Sequence, residues 1–320
     1  MLQEKSIILS LCCQLCRVDG IRPLSTREYL RLKQALHRNS LCPADLVNLS
    51  SGELMSILGT TVAFTQRIRE LLDRSVFLLP FLELYEAMGF QTVTVTDPLY
   101  PKTLLQTLPE SCPALLFYAG DLSLAQKPVV GFVGSRAISE EDASFSRATV
   151  QKVLSQGYGV VSGGARGTDT VAEETALAGK GFVVEFPADS LTRRTKKLAV
   201  RKMLEEGRML LLHPVGPGVN FTTSIAMTRN RLIYAQSQAT VVVRSDLNAG
   251  GTWAGATDAL KHSLCPVLCR DYPYEGNRAL LQLGAHPITS DWDGSLPPKI
   301  LPVSGDTDSD QLSLFDMMDS

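Results

Sequence analysis

The sequence predicts an α/β protein, a doubly wound and mostly parallel sheet preceded by a small helical domain. Three observations carry that expectation. From Pro128 to about residue 290, short apolar runs alternate with segments of helical period, the pattern of right-handed βαβ units stacked into a parallel sheet. Two junctions in this region, around Ser162–Asp169 and Asn248–Gly255, are glycine-rich turns leading from a strand into a helix. The first 88 residues instead place apolar side chains at helical spacing, with Leu30, Leu32, Ala35 and Leu36 in one group and Ile68, Leu71 and Leu72 in another.

The elements follow in order. In residues 1–88, Pro43-Ala44-Asp45 and Ser50-Ser51-Gly52-Glu53 are helix starts. Residues 89–127 form a strand-bearing connector: Gln91–Thr96 alternates as a strand does, Asp97-Pro98-Leu99-Tyr100-Pro101 breaks it, and Ala114–Tyr118 is a second apolar run. In residues 128–290 the expected strands are Val129–Val133, Tyr158–Ser162, Phe182–Phe186, Met209–Leu212, Thr240–Val243 and Pro266–Leu268. The helix after Val133 starts at a capping box, Ser139 to Asp142, and carries Val150, Val153 and Leu154 on one face. Further helices are expected at Thr170–Ala178 and at about 194–206, 224–236 and 252–262. Residues 291–320 read as a disordered acidic tail, with Asp306, Asp308 and Asp310 ahead of the apolar cluster Gln311-Leu312-Ser313-Leu314-Phe315.

Composition narrows the function classes. The 320 residues are 44% apolar and carry a net charge of −2, so a nucleic-acid site must be a local patch rather than a property of the whole surface. Seven scattered cysteines, an odd number, argue for a reducing compartment and against a disulfide framework. No apolar run approaches a membrane span, and the N-terminus lacks the features of a signal peptide. The expected location is cytoplasmic, with no membrane contact.

In a doubly wound sheet, ligands sit beyond the carboxyl ends of the strands, so the segments after each strand are the candidates. Gly134-Ser135-Arg136 follows the first strand of the sheet domain: the glycine permits close approach, and the hydroxyl and guanidinium suit phosphate. Ser162-Gly163-Gly164-Ala165-Arg166-Gly167-Thr168-Asp169 opens directly into a helix, where backbone N–H groups and the helix dipole favour an anion. Gly250-Gly251-Thr252 is a second entry of this kind, and Arg229-Asn230-Arg231 lies on the helix between them. The phosphate-binding set is therefore Gly134, Ser135, Arg136, Ser162, Gly163, Gly164, Arg166, Gly167, Thr168, Arg229, Asn230, Arg231, Gly250, Gly251 and Thr252. On a continuous 194–206 helix, Arg194, Lys197 and Arg201 share one face and form a basic groove wall. The four histidines are scattered, and the cysteines sit in apolar runs. No catalytic residue, metal site or cofactor is expected.

Together these motifs resemble the DprA/Smf family of DNA-processing proteins over roughly residues 26–290. The resemblance is carried by Asp97-Pro98-x-Tyr100-Pro101, Gly120-Asp121-Leu122, Val133-Gly134-Ser135-Arg136, Val161 through Asp169, and Arg229-Asn230-Arg231-Leu232-Ile233. It implies an extended Rossmann-like fold, a small helical domain of the SAM or helix-hairpin-helix kind, and dimerisation of the chain. It also implies binding of single-stranded DNA and its transfer to the RecA recombinase in recombination or natural transformation. The sequence departs from the family at Glu173, where a histidine is usual, and in an insertion at Thr222–Met227. Gln311-Leu312-Ser313-Leu314-Phe315 is similar to the short motif that docks bacterial proteins on the DNA sliding clamp, with Gln311 at the rim and Leu312, Leu314 and Phe315 in the pocket. The alternative is a nucleotide-binding enzyme or sensor. The glycine loops also resemble those of phosphoribohydrolases of the same Rossmann group, in which Asp169 or Glu173 would supply the carboxylate.

Overall fold

The computed structural model describes residues 2–15 and 20–301. Residues Gln311, Leu312, Leu314 and Phe315, and with them the clamp-like motif, lie outside the described residues.

The N-terminal region is helical: α1 Leu2–Cys12, α2 Thr26–Arg38, a 3-10 turn Pro43–Val47, α3 Ser51–Leu58, α4 Val62–Asp73 and α5 Ser75–Ala87. Local chemistry sets the starts. Ser25 and Ser50 each accept from the N–H three residues on, while Glu28 and Glu53 accept from the cap N–H in return. Tyr29, Leu32 and Leu36 on α2 pack with Ile8, Leu11, Leu54, Ile68 and Leu71 in one core. Of the α2 residues expected inside, Leu32 and Leu36 are buried, whereas Leu30 and Ala35 are half-buried.

Nine strands then form one sheet. They are β1 Gln91–Thr94, β2 Leu115–Gly120, β3 Val129–Val133, β4 Gly159–Ser162, β5 Val183–Glu185, β6 Met209–His213, β7 Thr240–Val242, β8 Val267–Arg270 and β9 His286–Ile288. Their order is β1-β2-β6-β5-β4-β3-β7-β8-β9. All pairings from β6 to β9 are parallel. The antiparallel β1 and β2 join at the β6 edge, so the strands of residues 89–127 extend the same sheet. The doubly wound, mostly parallel α/β class is therefore borne out.

The remaining helices are α6 Lys102–Thr107, α7 Glu140–Ser155, α8 Thr168–Ala178, α9 Leu191–Arg194, α10 Leu198–Glu205, α11 Thr223–Gln236, α12 Gly250–Lys261 and α13 Glu275–Gln282. Side chains alternate across the strands. Val129, Val133, Val161, Val184, Leu210 and Leu212 meet α6, α11, α12 and α13 through Leu104, Leu232, Ala256, Ala259 and Leu280. Val130, Phe132, Val160, Val183, Met209 and Leu211 meet α7, α8 and α10 through Val150, Val153, Ala172, Ala176 and Val200. The near-continuous apolar strands are thus explained by helices on both faces.

Three features differ from the sequence expectation. Helices α6 and α13 and strand β9 are not expected from the sequence: β9 is three residues long and contains Pro287, so it carries no strand pattern. The helix expected at Thr170–Ala178 begins two residues earlier. The helix expected at about 194–206 is two helices, because Ser190 caps α9 through the Arg193 N–H at 3.2 Å and Lys197 is extended, with φ −73° and ψ 121°. Arg194, Lys197 and Arg201 therefore do not share a helix face, and the basic groove wall proposed on that basis does not form.

The carboxyl ends of β7 and β8 are tied together by Asn277 on α13, which is fully buried. Its amide donates to Val243 O at 3.1 Å and Arg270 O at 3.0 Å and accepts from Ser245 N at 2.8 Å. Asn277→Ala leaves three buried backbone groups unsatisfied and should lower the unfolding free energy by about 3 kcal/mol. Urea denaturation of both proteins checks this.

Candidate functional site

The chain runs outward from β3 in both directions, through β4, β5 and β6 on one side and β7 and β8 on the other. A crevice is expected beside such a switch point, at the carboxyl ends of the strands. A cleft of about 250 Å³ opens there over β3, β4 and β5, and its walls include Arg136, Arg166, Arg193, Lys197, Phe221 and Arg229.

The loops after β3 and β4 are built as one unit. Ser135 O accepts from Thr168 N and Thr168 Oγ1, each at 3.3 Å. Gly167 adopts φ +81° and packs so close to Ser135 O that a Cβ there would overlap it. Hydroxyls expected to bind phosphate are engaged within the fold. Ser162 Oγ donates to Phe132 O at 2.8 Å, and Ser135 Oγ accepts from Ala137 N at 3.2 Å.

The glycine loop itself differs from the expected cradle. Three of its N–H groups are already bonded: Gly163 N and Ala165 N donate to Asp169 Oδ2 at 3.2 and 3.3 Å, and Gly164 N donates to Glu173 Oε1 at 3.0 Å. The anion at this helix start is supplied by the protein. Glu173, the position at which the sequence departs from the family, is buried. What the loop offers a ligand is the exposed Arg166 rather than its backbone.

Behind the loop lies a buried ion network. Arg194 on α9 donates from Nε and Nη2 to Glu185 at 2.6–2.9 Å and from Nη2 to Glu173 Oε2 at 2.9 Å. Glu185 is fully buried at the end of β5. Burial, and then the charge of Glu185, push the Glu173 carboxyl well above the usual carboxylate range, while Arg194 opposes the shift. Burial likewise raises Asp169, against Arg229 and the two loop N–H groups. His213 is buried with Nδ1 accepting from Val215 N and Gly216 N, and burial beside Arg229 lowers it to about 4, so it is neutral.

The structure divides the residues singled out from the sequence. Arg136, Gly163, Gly164, Arg166, Arg194, Lys197 and Arg229 line the cleft. Gly134 and Thr168 pack against each other beneath it. Gly250, Gly251 and Thr252 do not line it; they start α12, and Gly251 O accepts from Asn230 Nδ2 at 3.2 Å. Arg231 faces α12, with Nε 3.9 Å from Asp258 Oδ2. The Arg229-Asn230-Arg231 segment is thus split by the helical turn, with Arg229 on the cleft and its two neighbours on α12. Arg201 stands exposed on α10, away from the cleft lining. Two residues were missed. Phe221, 50% exposed, stands just before the Thr222–Met227 insertion, outside the glycine and arginine motifs. Glu185 had a signal, a lone carboxylate ending a buried apolar strand.

Replacing Arg194 by Met leaves Glu173 and Glu185 buried side by side without their cation, a loss of about 3–5 kcal/mol. Without that cation the folded-state Glu173 carboxyl, already raised, rises further, so the deficit is largest at high pH and shrinks as Glu173 takes up its proton. Denaturation of Arg194→Met and the unaltered protein at pH 8 and pH 5 should show a larger gap at pH 8.

Residues 91–294 match the family described as DNA recombination-mediator protein A. The DNA processing protein DprA of Streptococcus pneumoniae is 30% identical over 212 residues, which are 65% of this chain and 74% of that protein. Protein Smf of Escherichia coli is 31% identical over 172 residues, 52% of this chain and 44% of Smf, so the chain matches less than half of that relative's length. The solved structure of DprA from Streptococcus pneumoniae superposes with a TM-score of 0.64 at 23% identity, covering 83% of this chain and 95% of that one. DprA from Helicobacter pylori, whose structure is described for its single-stranded DNA binding mode, gives a TM-score of 0.52 at 25% identity, covering 62% and 91%. With the family match spanning most of the chain and the pneumococcal relative aligned over most of its own length, the chain belongs to the DNA recombination-mediator protein A family, DprA/Smf.

Proposed function

We propose that the cleft binds single-stranded DNA and that the protein acts, without catalysis of its own, in recombination or natural transformation. One observation carries the reading: the exposed cations Arg136, Arg166 and Lys197 line the same cleft as the exposed Phe221. Among the described residues none of these three cations has a side-chain hydrogen bond or ion pair. Unpaired cations that track a backbone, beside an aromatic face on which a base can stack, are the combination that single strands require. The single-stranded DNA binding described for the Helicobacter pylori relative supports it.

The alternative, a phosphoribohydrolase-like enzyme or sensor, needs a carboxylate free to work at a ribose. Asp169 is held by two N–H groups and Glu173 by one N–H and Arg194, an arrangement that favours a binding site over a catalytic one. Partnership with RecA and the homodimer rest on the family resemblance, and the cytoplasmic location on the scattered cysteines and the lack of an apolar run of membrane length. Among the described residues, no helix is long and apolar enough to cross a membrane. Docking on the sliding clamp rests on residues Gln311 to Phe315.

Fluorescence anisotropy with a labelled oligonucleotide should detect salt-sensitive binding. Phe221→Ala should weaken it by about 1–3 kcal/mol, the worth of one stacked base. Arg136→Ala should weaken it and reduce the salt slope by about 0.7, the signature of one lost phosphate contact on a single strand. Unchanged affinity in both variants would overturn the reading. Separately, deletion of residues 311–315 should abolish co-purification with the sliding clamp while leaving oligonucleotide binding intact; retained co-purification would exclude the motif.

A further inference from the structure

The floor of the cleft holds a cation that the protein does not neutralise. Arg229 is 7% exposed. Its guanidinium presses so closely on Gly163 that a Cβ there would overlap it. Its Nε is buried without a hydrogen-bond partner, and no ion pair among the described residues includes it. Burial lowers its hold on its proton, and the charges of Asp169, Glu185 and Glu173 only partly offset that loss. Each of those acids is engaged elsewhere, Asp169 by the glycine loop and the two glutamates by Arg194. The adjacent His213 is neutral and adds no second positive charge.

An unpaired buried charge costs several kcal/mol, so this floor is poised for an anion. The cleft therefore has two tiers of positive charge: exposed Arg136, Arg166 and Lys197 at the mouth, and enclosed Arg229 below. The tiers suit different phosphates. An internal phosphodiester carries a sugar on both sides and one charge, which fits the open mouth. A phosphomonoester has a sugar on one side only, three terminal oxygens and a charge of about −1.5 to −2. It can enter end-on and meet the guanidinium fork in the bidentate geometry that arginine favours.

We propose that Arg229 receives the terminal phosphomonoester of a DNA strand, so that the cleft recognises a phosphorylated strand end while its mouth holds the following backbone. This rests on the reading that the cleft binds single-stranded DNA. It adds end recognition to that reading, and the two can fail separately.

The test is competition against a labelled strand by unlabelled oligonucleotides of one sequence carrying a 5′-phosphate, a 3′-phosphate or hydroxyls at both ends, with dAMP as a further competitor. One of the two phosphorylated strands should bind about tenfold more tightly than the hydroxyl-ended strand, the gain expected of a charge-assisted bidentate contact. In Arg229→Met that ratio should fall towards one. Equal affinities for all three strands overturn end recognition and leave the DNA reading standing. A preference that persists in Arg229→Met overturns the assignment to Arg229. Competition by dAMP as strong as that of the phosphorylated strand reassigns the floor to a free nucleotide and overturns the strand-end proposal. Absence of binding by any strand overturns both readings. The comparison of the three strands on the unaltered protein does not depend on the variant folding.

Discussion

The Arg194 guanidinium sits between two carboxylates, Glu185 at the end of β5 and Glu173 on the second turn of α8. Two carboxylates at this depth repel one another and are poorly solvated, so the arrangement persists only with the cation between them. The contact also joins three successive elements, α8, β5 and α9. Glu173 carries it onward to the Gly164 N–H, and Asp169 bonds the neighbouring N–H groups of the same loop. The glycine loop, the start of α8 and the short α9 are therefore set by one hydrogen-bonded network, and the walls of the cleft are set with them.

That network changes what the glycine-rich turn does. A free loop at a helix N-terminus is a phosphate site because its N–H groups lack partners. Here the N–H groups of Gly163, Gly164 and Ala165 are taken by the protein's own acids, and recognition passes to side chains on the rim and to Arg229 on the floor. The acids at the base of the cleft moderate the potential of its cations, which accords with a net charge of −2 for the whole chain. Phe221 adds the apolar face that distinguishes a strand-binding groove from a bare anion hole.

The sheet was legible because its signal is local. A run such as Val129–Val133 declares itself a buried strand by composition, and the Ser139–Asp142 box declares the following helix by its caps. Elements without such signals escaped. Strand β9 has three residues and a proline, and its place in the sheet is decided by pairing with β8. The break between α9 and α10 is equally non-local. The residues from Leu191 to Glu205 have no proline or glycine, yet the chain turns at Lys197, one helix carrying Arg194 to the buried Glu185 and the next running on from Lys197.

By itself the sequence determined the strand and helix alternation, the parallel core of the sheet, and the loops at its carboxyl edge that carry glycines and arginines. Those follow from side-chain period and turn chemistry, which act between near neighbours. Tertiary structure decided which groups are free to meet a ligand. The Ser162 hydroxyl bonds β3, that of Ser135 its own loop and that of Thr168 the Ser135 carbonyl, Gly250–Thr252 belongs to the α12 start, and the Arg229-Asn230-Arg231 run is divided between two surfaces. The phosphate character first read in Ser162–Asp169 survives as Arg166 beside Arg136, Lys197 and Arg229, because only the folded chain places those four cations around one opening while committing the loop's own N–H groups to Asp169 and Glu173.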